Sequence, residues 1–332
     1  MGRGFLSRIK DRLAGLRRFS PLFRTVLSAV LIALIFYYLV DSRQFVQLLA
    51  AAKLSFLLLC IALIAADRFV MAWKWMILLR AQGSGVSFRD ITELTFVSTF
   101  FGLFLPSILG GDVVRAYSLT KNISDANLSI SSVLIDRTIG ISSMMAVSLV
   151  SALVSYRYIA DPRVLMVVFL FAAVFAIFIL LVFSSSGPKL LDKILPFKGS
   201  GTIREKLKGI YDSFLQFKAY KKVLFYAAVL SVTVQIMRIV GVYISSLALN
   251  LSTSFVYFLI FIPLTIILSL LPVSIAGIGI REGAYIYFFT RVGMTGSGAF
   301  TLALLIYFLT IIATLPGAFI YAFRGLSHKK DE

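Results

Sequence analysis

The sequence is poor in the residues that build soluble catalytic or disulfide-stapled domains. It has one cysteine, Cys60, and one histidine, His328. A lone cysteine in an apolar run excludes a disulfide framework and a thiol metal site. The histidine sits in the charged tail, which leaves the body of the chain without histidine acid–base or metal chemistry. Only 14% of the 332 residues are charged, against about 25% in soluble domains. No Walker A, HExxH or GxSxG sequence occurs, so neither an ATP motor nor those hydrolytic sites are written in the chain. No catalytic residue, metal or cofactor is implied, and the expectation is a protein that is not an enzyme.

Acidic residues are scarce as well: 15 Asp and Glu stand against 33 Lys and Arg, a net charge of +18. Such a surplus could serve a nucleic acid. In an apolar chain it reads instead as bases on cytoplasmic loops facing anionic lipid, with no nucleic-acid partner.

What is abundant is apolar: 59% hydrophobic residues and a mean hydropathy of +0.94. The runs are long enough for a bilayer. Residues 1–24 carry seven bases, with Leu6, Ile9, Leu13 and Leu16 at helical spacing, and read as a cytoplasmic interfacial helix rather than a cleaved signal. Full spans are expected at about Thr25–Val40, Leu54–Leu79, Leu128–Ser155, Val164–Phe183, Val223–Leu249 and Ala299–Phe323. The sequence therefore divides into a first membrane half, 25–183, a basic cytoplasmic loop, 184–222, a second half, 223–323, and a tail, 324–332.

Two apolar segments are interrupted in the same way. Leu105–Tyr117 reads LPSILGGDVVRAY and Leu271–Gly283 reads LPVSIAGIGIREG; in each, proline precedes arginine by nine residues with two glycines between. Pro106 and Pro272 break a helix, and Gly110, Gly111, Gly277 and Gly279 permit a reversal. Each segment is expected at the apex of a re-entrant hairpin, 91–121 and 255–290, with half-helices starting after Gly111 and Gly279.

Crossing parity favours that reading. If Ile91–Leu109 crossed the membrane once, the loop 184–222, with nine Lys or Arg, would fall outside, against the positive-inside bias. The consistent topology has six full transmembrane helices and two re-entrant hairpins in an inverted repeat, an all-α polytopic membrane protein with both termini cytoplasmic. Arg68 precedes Pro106 by 38 residues and Arg238 precedes Pro272 by 34, a further correspondence between halves.

Charges expected at membrane depth are Asp67, Arg68, Lys74, Glu93, Asp112, Arg115, Asp136, Arg137, Arg238, Arg281 and Glu282. Each costs about 2.5–3.5 kcal/mol at a helix centre, so most must pair or line a polar cavity. Asp112 is expected to pair with Arg115 and Asp136 with a neighbouring arginine. Lys74 is expected to snorkel to the interface, and Glu93 to cap a half-helix. Internal ion pairing accounts for some of these charges. The arginines also offer planar donors suited to a phosphate, and the half-helix N-termini would aim at the same region.

With these residues in place, the chain resembles the flippase-like membrane region of the lysylphosphatidylglycerol synthase/flippase family, stand-alone members included. LPSILGGDVVRAYSL at 105–119, DRTIG at 136–140 and LPVSIAGIGIREGAY at 271–285 carry the resemblance. It implies a domain that moves a lipid headgroup between leaflets of the inner or plasma membrane. The family's synthases carry an aminoacyl-transferase domain after the membrane part, which this sequence lacks, so lysine transfer is not implied. Arg115 and Arg281 are then expected to contact an anionic headgroup, with Asp112 and Glu282 orienting them or competing for them, and Arg68, Asp136, Arg137 and Arg238 completing the cavity wall. The competing reading is an accessory or enzymatic subunit of a glycolipid, polyprenyl-phosphate or isoprenoid-lipid pathway. Membrane lipids are the expected partners; a homo-oligomer or a pathway enzyme partner stays open.

Overall fold

The computed structural model describes residues 33–105, 110–123, 125–154, 201–269 and 277–327, with isolated helical positions between 166 and 177. All regular structure among these residues is helical. The span expected at 25–40 lies partly outside them and that at 164–183 largely so; Pro106 and Pro272, residues 1–24, 184–200 and 328–332 lie outside entirely.

A short helix, α1 (Ser42–Ala50), occupies what reads in sequence as a plain connection. Asp41 caps it, its carboxylate accepting from the Arg43 N–H at 2.8 Å, an ordinary N-cap. There follow α2 (Leu54–Ala81), α3 (Phe88–Phe104), α4 (Gly110–Ile123) and α5 (Ala126–Val154). After α6 (Gly201–Gln216) come α7 (Lys221–Ala248), α8 (Phe255–Ser269), α9 (Ile280–Phe289) and α10 (Gly296–Ser327). Among the described residues, four segments are long and apolar enough to cross a membrane: Leu54–Ala81, Ala126–Ser151, Lys221–Ala248 and Gly296–Phe323.

Local chemistry fixes the helix ends around the interrupted segments. α3 starts at the Ser87 cap, whose hydroxyl accepts from the Asp90 N–H at 3.1 Å. It stops at Leu105, whose extended backbone (φ −77°, ψ 144°) is the conformation a following proline imposes. α9 starts after Gly279, at φ +89°, and the Gly279 N–H donates to Glu282 Oε2 at 2.6 Å. Gly277, at φ +77°, would place a Cβ 2.9 Å from that of Ser269, so both its backbone and its surroundings select glycine.

Both interrupted segments join helices that fold back on each other. In the first, a Cβ on Gly102 would stand 3.1 Å from the Gly111 Cα, and one on Gly111 2.7 Å from the Ser98 carbonyl oxygen. The α3 and α4 backbones therefore touch. In the second, Phe258 meets Phe289 at 4.9 Å and Phe261 stacks on Phe288 at 5.2 Å between ring centroids, an antiparallel pairing of α8 with α9.

The two halves share an element order. α2 to α5 have 28, 17, 14 and 29 residues, and α7 to α10 have 28, 15, 10 and 32. Exchanging the halves leaves the packing scheme unchanged: α10 packs on α3 as α5 packs on α8, and α7 on α5 as α2 on α10. The equivalent helices α2 and α7 run antiparallel, with Cys60 beside Ser245, Asp67 beside Arg238 and Lys74 beside Ser231.

The first helix pair thus opens at the end of the molecule where α2 finishes and α7 begins. The second opens at the opposite end. The Tyr307 ring of α10 bridges them: its hydroxyl donates to the Leu103 carbonyl of α3 at 3.0 Å and Arg281 of α9 covers its face. Gly317 lets α10 lie directly on the α3 backbone at Phe96.

Candidate functional site

Ten charged side chains converge on the middle of the bundle, six cations (Arg68, Lys74, Arg115, Arg137, Arg238, Arg281) and four carboxylates (Asp67, Asp112, Asp136, Glu282). They form three clusters.

On α2, Asp67 accepts from Arg68 Nη2 at 2.8 Å and, across the helix interface, lies 3.5 Å from Arg238 Nε of α7. Both Asp67 and Arg68 are buried, whereas the Arg238 side chain is 31% exposed. Arg238 also approaches the Met71 sulfur at 3.3 Å, so its attachment to the carboxylate is loose.

The second cluster centres on Asp136 of α5. Lys74 Nζ lies 2.9 Å from one carboxylate oxygen and Arg115 Nη1 donates to the other at 2.7 Å. Lys74 also donates to the Ser231 hydroxyl at 2.9 Å. The Arg115 guanidinium sits 3.7 Å from the Trp75 ring centroid, a cation–π contact, and the Trp75 indole N–H is fixed by Ser132 at 3.1 Å. Arg115 Nε and Nη2 are buried without a hydrogen-bond partner. Beside this cluster, Arg137 pairs with Asp112.

In the third, Arg281 Nη2 pairs with Glu282 at 2.6 Å and covers the Tyr307 ring at 4.9 Å. Glu282 is fully buried and holds Gly279 with its other oxygen. The carboxylate thus closes the start of α9 and holds the arginine at the same time.

Three pairings differ from the sequence expectation. Asp112 does not take Arg115, although they are one turn apart on α4. Arg115 turns towards α2 and α5, where Trp75 and Asp136 await it. Consecutive residues on a helix point about 100° apart, so Asp136 faces α2 while Arg137 faces Asp112. Lys74 does not snorkel: it is buried, because the α5 carboxylate and an α7 hydroxyl offer it better partners than the interface. Glu93 leaves the constellation, pairing with Arg89 at 3.0 Å on the outer turn of α3.

Two cavities among the described residues lie at the charged centre. A cavity of about 260 Å³ is lined by Asp67, Arg68, Arg238, Arg281 and Thr265, with Leu63 among its apolar walls. A smaller one of about 80 Å³ is lined by Lys74, Asp112, Arg115, Asp136, Arg137 and Arg238. Arg281 lines the larger of these two and Arg115 the smaller, while Arg238 lines both. A wider cleft of about 920 Å³ lies at the mouth of the first helix pair, lined by Gln82, Ser84 and Asn122 among others and by no cation.

Gly110 and Gly111 open α4, two residues earlier than the expected half-helix, and Gly277 and Gly279 precede α9. Tyr307 and Thr265 were not singled out by sequence; such residues in a span carry no sign that they will border a charged centre. Among the described residues no three His, Cys, Asp or Glu side chains are grouped to hold a metal ion.

Long apolar helices folded around a buried charged centre define a multi-pass membrane protein. Residues 22–317 match the family described as the lysylphosphatidylglycerol synthase TM region, and the chain belongs to that family. Comparison with curated proteins gave no match.

Proposed function

We propose that the protein moves a lipid between membrane leaflets, its headgroup passing the arginine-lined centre while the tails stay in the bilayer. The observation that carries this reading is the charge imbalance. Six cations face four carboxylates; the three buried cations are matched by three buried acids, and the surplus lies on the half-buried Arg137, Arg238 and Arg281, which line the two cavities where an anion can meet them. The family description, which names a phospholipid synthase, agrees with a lipid substrate of anionic or aminoacylated type.

The topology proposed with it has six spans and two re-entrant pairs, α3–α4 and α8–α9, in an inverted repeat. Its support is the antiparallel α2–α7 contact and the exchange-invariant packing. Bases at the end bearing Arg80, Arg89, Lys121, Lys218, Lys221 and Lys222 favour that end as cytoplasmic, with both chain termini on the same side and the cell membrane as location. The halves would rock about the α2–α7 interface. Arg238, lining both cavities and loosely held by Asp67, would hand the headgroup from one to the other. The protein's own role is transport rather than covalent chemistry.

The test is leaflet-resolved movement of acyl-chain-labelled lipids in proteoliposomes, comparing wild type, Arg238→Gln and Arg281→Gln. Movement should exceed that in protein-free liposomes and fall at least about tenfold in the variants, equivalent to roughly 1.4 kcal/mol. Equal movement with and without protein, across all lipids tried, overturns the reading.

A further inference from the structure

The 260 Å³ cavity has a chemistry narrower than the range of lipids considered so far. Three of its lining residues are arginines, Arg68, Arg238 and Arg281. Among the described residues lining it, its one carboxylate, Asp67, is already engaged by Arg68 and Arg238. Glu282, behind Arg281, is fully buried and holds both the arginine and the Gly279 N–H. An ammonium entering this space would meet guanidinium groups and no free acid.

A second, independent feature points the same way. Thr265 of α8 is 1% exposed, lines the cavity, and its hydroxyl has no hydrogen-bond partner in the structure. Most buried polar atoms are satisfied, so a buried, unpartnered hydroxyl on a residue of this cavity's lining is a donor that a ligand's acceptor would satisfy. Two guanidinium groups and a hydroxyl are donors; their complement is an oxyanion such as a phosphate ester. The remaining walls, Leu63, Ile262 and Ile306 among them, suit the start of an aliphatic stem.

We infer that this cavity is selective for a lipid whose headgroup is net anionic, with phosphate oxygens bound by Arg238, Arg281 and Thr265, and that it rejects headgroups carrying a compensating ammonium, aminoacyl esters included. The inference rests on the lipid-transport reading and narrows its substrate class: the ester-linked amino acid that gives the family its description would introduce like charge into a site with no carboxylate to receive it.

The experiment compares labelled phosphatidylglycerol and phosphatidic acid with labelled lysyl-phosphatidylglycerol and phosphatidylcholine. Each is measured for leaflet movement in proteoliposomes of the full chain and, in the same preparation in detergent, for binding. Both anionic lipids should move and bind at least about tenfold better than the two ammonium-bearing lipids. Thr265→Val, which keeps the side-chain shape, should reduce anionic-lipid binding about three- to tenfold without lowering the melting temperature. Inorganic phosphate at millimolar concentration should compete weakly; competition as strong as that of the lipids would make the ligand a soluble anion and overturn the lipid assignment. Lysyl-phosphatidylglycerol moving or binding as well as phosphatidylglycerol overturns the inference while leaving lipid transport intact. If no lipid moves, the transport reading fails, and the binding series still decides the selectivity: equal binding of all four lipids, or unaltered binding by Thr265→Val, rejects it.

Discussion

Arg115 on α4 donates to Asp136 on α5 at 2.7 Å, and not to Asp112 one turn away on its own helix. The pair is buried, and Lys74 of α2 takes the other oxygen of the same carboxylate. One acid therefore ties three helices together, with two cations depending on it.

Asp136→Asn should be among the most destabilising single substitutions in the protein. It leaves Lys74 and Arg115 buried beside each other with no carboxylate, and breaking a buried pair typically costs about 3–5 kcal/mol. Lys74→Met should cost less, since Asp136 keeps Arg115. Denaturation of the detergent-solubilised protein would check the order; equal losses would mean that Asp136 is not the shared anchor.

The Arg137–Asp112 pair is more open, its arginine side chain being 39% exposed. Asp112→Arg and Arg137→Asp alone should each lower stability, and the double reversal should recover part of the loss. Residues in direct contact show coupling of about 0.5–3 kcal/mol. A double variant equal to the sum of the singles would argue that the contact contributes nothing.

Backbone approach at α3 gives a test of packing. Gly111→Ala places its methyl against the Ser98 carbonyl oxygen, and Gly317→Ala against the Phe96 backbone. Each should cost about 1–3 kcal/mol, the usual range for overpacking. Gly140→Ala, in the middle of α5 with nothing within 4 Å of the added Cβ, should be neutral or stabilise by up to about 1 kcal/mol. Melting temperatures of the three variants, measured side by side, should separate in that order.

Lys121, at the end of α4, and Arg291, after α9, are exposed at opposite ends of the molecule. Cysteines introduced there can be read against the native Cys60, which is fully buried. In right-side-out vesicles an impermeant maleimide should label Arg291→Cys directly and Lys121→Cys only after permeabilisation. Labelling of both without permeabilisation would contradict the inverted topology.

How much was legible in the sequence differs by level. The paired LP-plus-glycine segments and the long apolar runs are local properties, and the fold follows them: helix ends fall at Leu105 and Gly279, and four of the spans stand out by length and hydropathy. Helix α1 escaped notice because nine residues of mixed character between two spans look like a loop; only the Asp41 cap hinted at it. The charged residues were legible as a set and not as pairs. A sequence states that Asp112 and Arg115 are one turn apart, but not which way either side chain faces once α2 and α5 are packed beside α4.

Composition, run length and spacing determined by themselves that this chain is a helical membrane protein with two interrupted segments, because transfer of a helix into a bilayer depends on its own residues. The tertiary structure alone decided which acid holds which base. It placed Arg238 in the lining of two cavities, seated Arg115 on Trp75 and left the Thr265 hydroxyl without a hydrogen-bond partner. Those outcomes depend on contacts between helices far apart in the chain, whose relative rotation is fixed by packing at positions such as Gly102, Gly111 and Gly317 and by no local pattern.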